Sequence, residues 1–570
     1  DESNGNVVAK NQTSFSQWAI ISDVSDNSFT DTQGPVMNSI TLSPSSPSIL
    51  EEVIITADLA DDTGIESATL YYKPGGADVY TSLSMTDNGS NYSGTVPGSA
   101  VTMTGLYYYI VATDLTESAY VTISDTLGVE VQFISGTLTT NSATGSAYST
   151  GLPIEKWRLI SIPAVLDEPS VGQVIGDELG TQSDTSWRIF EYDLISTSYK
   201  ANPVNFTAGE SYWLYQRVED NLLLGTTPGQ TGDMSGTSLT LKSGWNFIGS
   251  PYPFPVSLVL DQVQFYGPMT YGLAGEAWSN VVTELSPWNG YVVYNRTASD
   301  QTITISPMSA SGVQLARAAD ELGWQIMLSA SAGDFQDKYN YVGCLESATN
   351  EIDWHDNPEL TSPGNHLSLS FTIPGEERLQ MTSDIREMSS SVQIWAGELN
   401  ATGITEPVKL IWSVQKMVPA DYTVMLVDLN TRKKVNLLSE ETYNLGYINE
   451  RYAHQFKLVS GTLDQVTFTV NELLAAIPEA LTLNGNYPNP FNPVTTIRFG
   501  VPKPSKVRIT VVNILGQEIT ELINDWRDIG HHEVVWQGLD QGGKPVATGM
   551  YFTVLTNGEK TIVQKMMLLK

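Results

Sequence analysis

Apolar and polar residues alternate along most of the chain, in short runs rich in Val, Ile, Thr, Tyr and Trp. Gly, Pro, Asn and Asp interrupt these runs roughly every 8–12 residues, which is the spacing of strands joined by turns. Residues 53–57, 106–112 and 422–427 are clear examples. Helical periodicity is confined to two short candidates, at 258–265 and 471–476. The pattern therefore predicts an all-β chain of serial β-sandwich domains.

Changes in composition divide the chain into six segments. The predicted order is an N-terminal extension (1–33), a first β domain (34–135), a Ser/Thr/Gly linker (136–151), a Trp-rich duplicated β domain (152–312), a further β-sandwich (313–475) and a C-terminal domain (476–570). The extension holds one plausible strand, at 15–21, and too few residues for a core of its own. We interpret it either as the end of an upstream domain or as a donor strand that pairs with a neighbouring sheet.

The Trp-rich region contains an internal duplication. The run 157–163 returns as 245–251, and the run 208–215 returns as 287–294. Matched aromatic positions in two copies are typical of packing in the core. The alternative is that exposed rings of Trp213, Trp278 or Trp288 stack on a glycan.

The charge balance limits the partners. The 570 residues include 63 Asp and Glu against 29 Lys and Arg, a net charge of −34. This excludes neutralisation of nucleic-acid phosphates or of an anionic membrane surface as the main activity. The chain has no apolar run long enough for a transmembrane helix, and its one cysteine, Cys344, cannot form an intramolecular disulfide. Its polar start indicates either a cytosolic protein or a sequence that begins after a removed signal peptide, and the C-terminal region favours the second.

Acidic loop residues are the candidate metal ligands. Asp61, Asp62 and Asp114 lie in one domain, and Asp334 and Asp337 in another. The segments 61–65 and 112–114 resemble those of bacterial immunoglobulin-like or fibronectin-like modules, and the predicted domains are accordingly immunoglobulin-like. These carboxylates either cap the amides of turns or bind calcium. Calcium is the one cofactor that the sequence suggests.

The sequence holds none of the short motifs of hydrolases, zinc enzymes or phosphate-binding loops. The best local candidate for acid–base chemistry or metal binding is the run Asp353, Trp354, His355, Asp356. We therefore expect a protein that is not an enzyme.

The C-terminal domain carries the most specific motif. A Pro/Asn-rich segment, a Leu-Gly-Gln turn, a Trp-Gly pair, a Gly-x-Tyr strand and a basic end follow one another in order. The motif residues are Asn486, Pro488, Asn489, Pro490, Phe491, Asn492, Pro493, Gly516, Gly549 and Tyr551. The prolines are expected to keep the segment extended, and the two glycines to allow tight turns or close strand approach.

This region closely resembles the C-terminal sorting domain of the type IX (Por) secretion system, which is related to an immunoglobulin-like domain of flagellar hook-capping proteins. The resemblance implies export to the bacterial cell surface or the extracellular space, with the outer-membrane secretion machinery as a partner. Three functions remain open. The first is a structural surface protein that self-associates by β-strand addition into a filament or surface layer. The others are the accessory C-terminal region of a larger secreted enzyme such as a peptidase, and a glycan-binding adhesin.

Overall fold

The structure is a computed structural model that describes residues 31–183, 185–273, 275–307, 321–375 and 379–569. The strand predicted at 15–21 lies outside these residues. Within them the chain is almost entirely β-structure arranged in many small sheets, which confirms the predicted fold class.

The first domain is a sandwich of two sheets, with strand orders β1-β2-β6-β5 and β4-β3-β7-β8, β9 pairing with β7. Its strands are β1 (Val36–Ser43), β2 (Val53–Ala60), β3 (Ile65–Pro74), β4 (Thr81–Ser84), β5 (Thr86–Asp87), β6 (Tyr92–Val96), β7 (Leu106–Asp114), β8 (Val121–Ile123), β9 (Leu127–Val129) and β10 (Gln132–Phe133). Alternation along β2 points Val53, Ile55 and Ala57 into the core between the sheets, as the sequence pattern predicts.

The duplicated region follows without a break in packing, because β10 pairs with one of its strands, β16. Its strands are β11 (Trp157–Ser161), β12 (Val165–Leu166), β13 (Trp187–Asp193), β14 (Ser198–Ala201), β15 (Ser211–Gln216), β16 (Gly229–Gln230), β17 (Thr237–Leu241), β18 (Gly244–Gly249), β19 (Val256–Ser257), β20 (Phe265–Met269), β21 (Glu284–Leu285), β22 (Gly290–Asn295) and β23 (Gln301–Ile305). Two one-turn helices, α1 (Val171–Val174) and α2 (Gly176–Leu179), complete it.

The two copies of the repeat build the same ladder. Strand β11 pairs with β15 so that Trp157 faces Tyr215, and β18 pairs with β22 so that Trp245 faces Tyr294. The copies also contact each other, because the Ser161 hydroxyl donates to the Asn289 carbonyl at 2.7 Å.

The segment 136–151 corrects the prediction of a linker. Leu138 and Tyr148 are buried in the core of the duplicated region, and the Tyr148 hydroxyl donates to the Leu159 carbonyl at 3.1 Å. A few apolar side chains anchor this otherwise polar segment to the core. Its low apolar content therefore does not make it an exposed linker.

The larger sandwich has two five-stranded sheets, with orders β27-β25-β24-β29-β32 and β26-β28-β33-β30-β31. Its strands are β24 (Gly323–Ala332), β25 (Phe335–Leu345), β26 (His366–Thr372), β27 (Ser383–Glu387), β28 (Gln393–Thr402), β29 (Val408–Lys416), β30 (Tyr422–Asp428), β31 (Lys434–Asn436), β32 (Thr442–Gly446) and β33 (His454–Thr462). Trp324 and Trp395 meet edge to face in its core, with ring centroids 5.6 Å apart.

A helix, α3 (Leu463–Ala475), leads out of this sandwich. It begins where the Thr462 amide donates to the Gln465 side chain at 2.9 Å, and it packs on β30 and β33 through Val466 and Val470. The predicted helix at 471–476 is thus the end of a longer one, whose β-branched first turns resemble a strand. The other candidate, 258–265, is wrong: it forms a loop and a turn, which Asp261 holds by accepting the Val263 amide at 3.0 Å.

The C-terminal domain is a smaller sandwich with sheet orders β34-β35-β38 and β37-β36-β39-β40. Its strands are β34 (Thr482–Tyr487), β35 (Thr495–Val501), β36 (Ser505–Asn513), β37 (Glu518–Arg527), β38 (Gly530–Trp536), β39 (Gly549–Thr556) and β40 (Thr561–Leu568). Its core lies between the two sheets and contains residues of both.

Candidate functional site

The Pro/Asn-rich segment of the C-terminal domain is folded against the last strand. Phe491 is buried beside Trp536, with ring centroids 5.4 Å apart. Its amide donates to the Met567 carbonyl at 2.9 Å, and its carbonyl accepts the Leu569 amide at 2.9 Å. The segment therefore clamps the end of β40 and is more than an extended lead-in.

Two asparagines of this segment form hydrogen bonds that hold it in place. The Asn489 side-chain oxygen accepts the Met567 amide at 3.0 Å. The Asn486 side-chain amide donates to the Pro488 carbonyl at 3.1 Å and to the Thr495 hydroxyl at 2.9 Å. Asn492, Pro490 and Pro493 lie in the turn between β34 and β35.

The Leu-Gly-Gln turn forms a rigid hairpin tip between β36 and β37. Gly516 has φ = 78°, a left-handed conformation that suits a tight turn at this position. The Asn513 side-chain oxygen accepts the Leu515 and Gln517 amides at 2.9 and 3.0 Å. This turn leaves the side chains of Ile514 and Leu515 70% and 77% exposed.

Gly549 and Tyr551 begin β39. Gly549 has neither a positive φ nor a neighbour within reach of an added Cβ, so neither explanation predicted for this glycine applies. Tyr551 is buried against Trp536, and its hydroxyl donates to the Ala547 carbonyl at 2.8 Å.

The candidate metal ligands fall into two groups with different surroundings. Carboxylate oxygens of Asp61 and Asp62 lie within 4.8 Å of each other and of Asp31, which sequence reasoning missed because it is thirty positions away. Asp114 is buried at the end of β7 in the same domain.

The second group does not form a site. Asp334 is exposed and pairs with Lys156 at 3.5 Å, whereas Asp337 is buried and accepts the Leu369 amide and the Asn340 side chain. Burial raises the pKa of Asp337 to about 7. Among the described residues these two aspartates belong to no group whose oxygens converge.

The candidate run around His355 folds into a hydrogen-bonded loop. The His355 Nδ1 lies 2.8 Å from the Asp353 carboxylate, and its Nε2 lies 3.1 Å from the Ser347 hydroxyl. This order of groups is that of a nucleophilic serine, a base and an orienting acid. The Ser347 hydroxyl, however, also contacts the Glu321 carboxylate, which can only accept its single proton. With that proton donated to Glu321, the Ser347 hydroxyl has none left to give to His355, so this arrangement does not activate the serine.

The aromatic candidates for glycan stacking differ in exposure. Trp213 and Trp288 are fully buried, so their rings are not open to a sugar. Trp278 is half-buried and donates its indole N–H to the Leu360 carbonyl at 2.7 Å, in the contact between the duplicated region and the larger sandwich.

The fold and this tail together define a secreted β-domain protein, and the comparisons with known proteins specify the tail. Residues 486–569 match the model of the secretion system C-terminal sorting domain, so the recognised motif is confirmed. This type IX sorting domain marks the chain for export to the cell surface or the extracellular space. No helix among the described residues is long and apolar enough to cross a membrane.

Comparison of whole chains adds less. No curated protein is similar in sequence at a significant level. Among solved structures, PorZ of Porphyromonas gingivalis, described as an essential bacterial surface component of the type-IX secretion system, aligns over 94% of this chain and 93% of its own at 10% identity, with a TM-score of 0.13. An elastase-activated Escherichia coli alpha-2-macroglobulin aligns over 93% of this chain and 53% of its own, also at 10% identity, with a TM-score of 0.14. At these scores neither structure supports an argument about fold or function.

Proposed function

We propose that this chain is a non-catalytic structural protein of the bacterial surface, which self-associates through its sheet edges. The observation that carries the proposal is the contact between the duplicated region and the larger sandwich, where aromatic side chains and hydrogen bonds join the two into one body. A surface component that bears load needs such joints, because a flexible linker would transmit no orientation from one domain to the next.

The joint is built on the loop 353–362 of the larger sandwich. The Tyr199 hydroxyl donates to the Thr361 carbonyl at 2.7 Å, and the Arg296 guanidinium donates to the Asp356 carbonyl at 2.6 Å. Leu360 packs into an aromatic cluster of the duplicated region that includes Trp213. Aromatic side chains that the sequence also allowed as a glycan-binding surface therefore pack at the contact between the two domains.

The ionisable groups of this loop serve the same structural purpose. The Asp356 carboxylate accepts the Asp353 amide at 3.0 Å and the Ile385 amide at 2.9 Å, which ties the loop to strand β27. Burial raises the pKa of Asp356 to about 7. These contacts support a role in packing for the run that sequence analysis singled out for chemistry.

Edge strands provide the surfaces for self-association. Strand β1 lies at the edge of one sheet of the first domain, where it pairs only with β2 among the described residues, and β5 lies at the opposite edge. A partner's extended segment can add there through main-chain hydrogen bonds. The predicted donor strand at 15–21 is the proposed occupant.

Two measurements test the proposal. Light scattering and electron microscopy of the full chain and of a variant lacking residues 1–30 should show assemblies for the first and monomers for the second. Unchanged assembly of the shortened chain would refute strand donation, and a monomeric full chain would refute self-association. Labelling with a fluorophosphonate probe addresses catalysis: wild type and Ser347→Ala should both stay unlabelled, and labelling that Ser347→Ala abolishes would contradict the non-catalytic assignment.

A further inference from the structure

Four aspartates lie at one end of the first domain, and three of them bring their carboxylates together. Asp31 precedes β1, Asp61 and Asp62 follow β2, and Asp114 ends β7. One carboxylate oxygen from each of Asp31, Asp61 and Asp62 lies within 4.8 Å of the others. They line an open depression of about 430 Å³.

The spacing of these oxygens suits a calcium ion. Calcium binds oxygen ligands at 2.3–2.6 Å, so two oxygens on opposite sides of one ion lie about 5 Å apart. Magnesium requires near-ideal octahedral geometry at 2.0–2.1 Å, whereas calcium accepts the more flexible geometry of carboxylates from separate loops. Six to eight ligands are needed, and an open depression leaves room for water beside the carboxylates.

Turn capping accounts for only part of this arrangement. One oxygen of Asp61, Oδ1, accepts the Thr63 amide at 2.9 Å and the Gly64 amide at 3.1 Å. The Asp31 carboxylate accepts the Gln33 amide at 2.9 Å and the Thr63 hydroxyl at 3.1 Å. Asx-type turns explain those bonds, and they do not explain why three acidic loops meet.

The independent observation is Asp114. This residue is completely buried, and its Oδ1 accepts the Thr116 hydroxyl at 2.8 Å and the Tyr120 amide at 2.9 Å. Its other oxygen, Oδ2, is buried with no hydrogen-bond partner. A buried carboxylate oxygen without a partner is costly, because it has lost its water and gained nothing in return.

Asp114 lies beside the loop that carries Asp61 and Asp62. It pairs with Ile65 across strands β7 and β3, and the Leu115 amide donates to the Gly64 carbonyl at 3.0 Å. The Asp114 side chain is also close to the Asp31 carboxylate. Two carboxylates at that distance have no donor between them, and none of the ion pairs among the described residues involves any of the four aspartates. A cation would complete the arrangement.

We infer that Asp31, Asp61, Asp62 and Asp114 form a calcium site at the N-terminal end of the first domain. The ion would link the segment before β1 to the β2–β3 loop and to the end of β7. Binding would fix Asp31 and the residues between it and β1 against the domain. The inference is independent of the proposed structural function.

Calorimetric titration of the full chain with CaCl₂ tests the site. Wild type should bind one calcium more tightly than any further ions, and magnesium should bind at least tenfold more weakly. Asp31→Asn and Asp62→Asn should each weaken that calcium by tenfold or more, because each removes a charged ligand on the accessible side. Asp125→Asn, an exposed aspartate of the same domain outside the cluster, should leave it unchanged.

Thermal unfolding separates a lost ligand from a lost fold. Asp31→Asn and Asp62→Asn should unfold at the wild-type temperature in EDTA, and calcium should raise the unfolding temperature of wild type alone. Calcium binding that is equal in wild type and both variants would show diffuse attraction to an acidic chain and overturn the site. Absence of calcium binding to wild type would overturn it as well.

Discussion

The larger sandwich and the C-terminal domain are both two-sheet structures, yet the first buries charged pairs that the second keeps at its surface. The larger sandwich buries an Arg386–Asp384 pair with two parallel hydrogen bonds of 2.8 Å, and it buries Asp428 beside His454. In the C-terminal domain, the Arg498–Glu533 pair and the pairs of Arg508 with Glu518 and Glu521 lie at the surface.

The difference reflects what each domain has to contact. The larger sandwich supplies the joint to the duplicated region, so its loops and strands have buried surfaces on more than one side. The C-terminal domain has to be recognised by the secretion machinery, and it keeps an apolar hairpin tip and a charged surface exposed. Charged groups are costly where they are buried, as in the larger sandwich. They cost little where they are exposed to solvent, as in the C-terminal domain.

The largest expected effect comes from breaking the buried pair. Arg386→Ala removes the partner of the buried Asp384 and the cation that lies 4.9 Å from the Trp395 ring centroid. It should destabilise the larger sandwich by about 3–5 kcal/mol, measured by denaturant unfolding. Replacing both residues, Asp384→Leu with Arg386→Met, should recover most of this loss, and a double variant as unstable as the single one would contradict the explanation.

A second expected effect depends on pH and concerns buried acids of the larger sandwich. Burial raises the pKa of Asp337 and of Asp356 to about 7, and that of Glu359 well above its usual value. A raised pKa means that the folded state holds protons that the unfolded state has released. This stabilisation is complete below about pH 4 and is lost as the pH rises through about 7.

The variant Asp337→Asn should reduce that pH dependence. An asparagine keeps an oxygen for the Leu369 amide, and its N–H₂ can face the Asn340 side-chain oxygen, which is buried without a partner. Unfolding of wild type and variant between pH 4 and 8 provides the measurement. An equal slope in both proteins would remove Asp337 as a source of the pH dependence.

The buried Asp428 should act in the opposite direction and in a lower range. Burial by itself opposes ionisation, but hydrogen bonds and charge from His454, together with a hydrogen bond from Tyr443, lower the pKa of Asp428 to about 2. Its contribution is therefore complete above about pH 4 and is lost as the pH falls through 2. Asp428→Asn should remove part of the acid unfolding below pH 4, and an unchanged acid limb would contradict this.

A smaller effect is expected from the matched surface pair. Arg498→Ala in the C-terminal domain breaks an exposed contact of 2.7 Å and should cost about 0–1 kcal/mol, less at high salt. Denaturant unfolding of this variant beside Arg386→Ala measures the contrast directly. A loss as large as that of Arg386→Ala would remove the distinction between the two domains.

The smallest effect on stability is expected at the hairpin tip. Ile514→Ser with Leu515→Ser should change the free energy of unfolding by about 0.5 kcal/mol or less, because both side chains are exposed. If the tip contacts the secretion machinery, the same variant should lower the amount of exported protein in cell fractions. Val563→Ser, an exposed apolar position on β40, is the control. Equal export of both variants and wild type would exclude the tip as a contact.

Strand alternation predicted most of the architecture because burial on one face imposes it directly. Residues 53–57 and 106–112 fall in strands β2 and β7, and the repeated Trp-containing runs form equivalent ladders. The segment 136–151 was misjudged because a few anchors, Leu138 and Tyr148 among them, suffice to bury it. Local pattern carries no information about such distant contacts.

The candidate sites show the same limit. The tail motif is local and was recognised from sequence, whereas Asp31 joins Asp61 and Asp62 only through the fold. Asp353 and His355 were singled out from the sequence, whereas the contacts of Ser347 with His355 and with Glu321 were not. Glu321 and Ser347 meet only because strands β24 and β25 pair. Conversely, the sequence also allowed Trp213 and Trp288 to be glycan-binding rings, but both are buried in the core.

The connection from α3 into the C-terminal domain has a consequence for proteolysis. The Arg432 guanidinium donates to the Ile477 and Pro478 carbonyls at 2.9 and 2.8 Å, and both residues are buried. Only Glu479 and Ala480 are exposed before the buried Leu481. An endopeptidase needs a longer extended run in its cleft, so cleavage here requires the junction to open first. The rate of any proteolytic separation of the two domains would then be set by that opening.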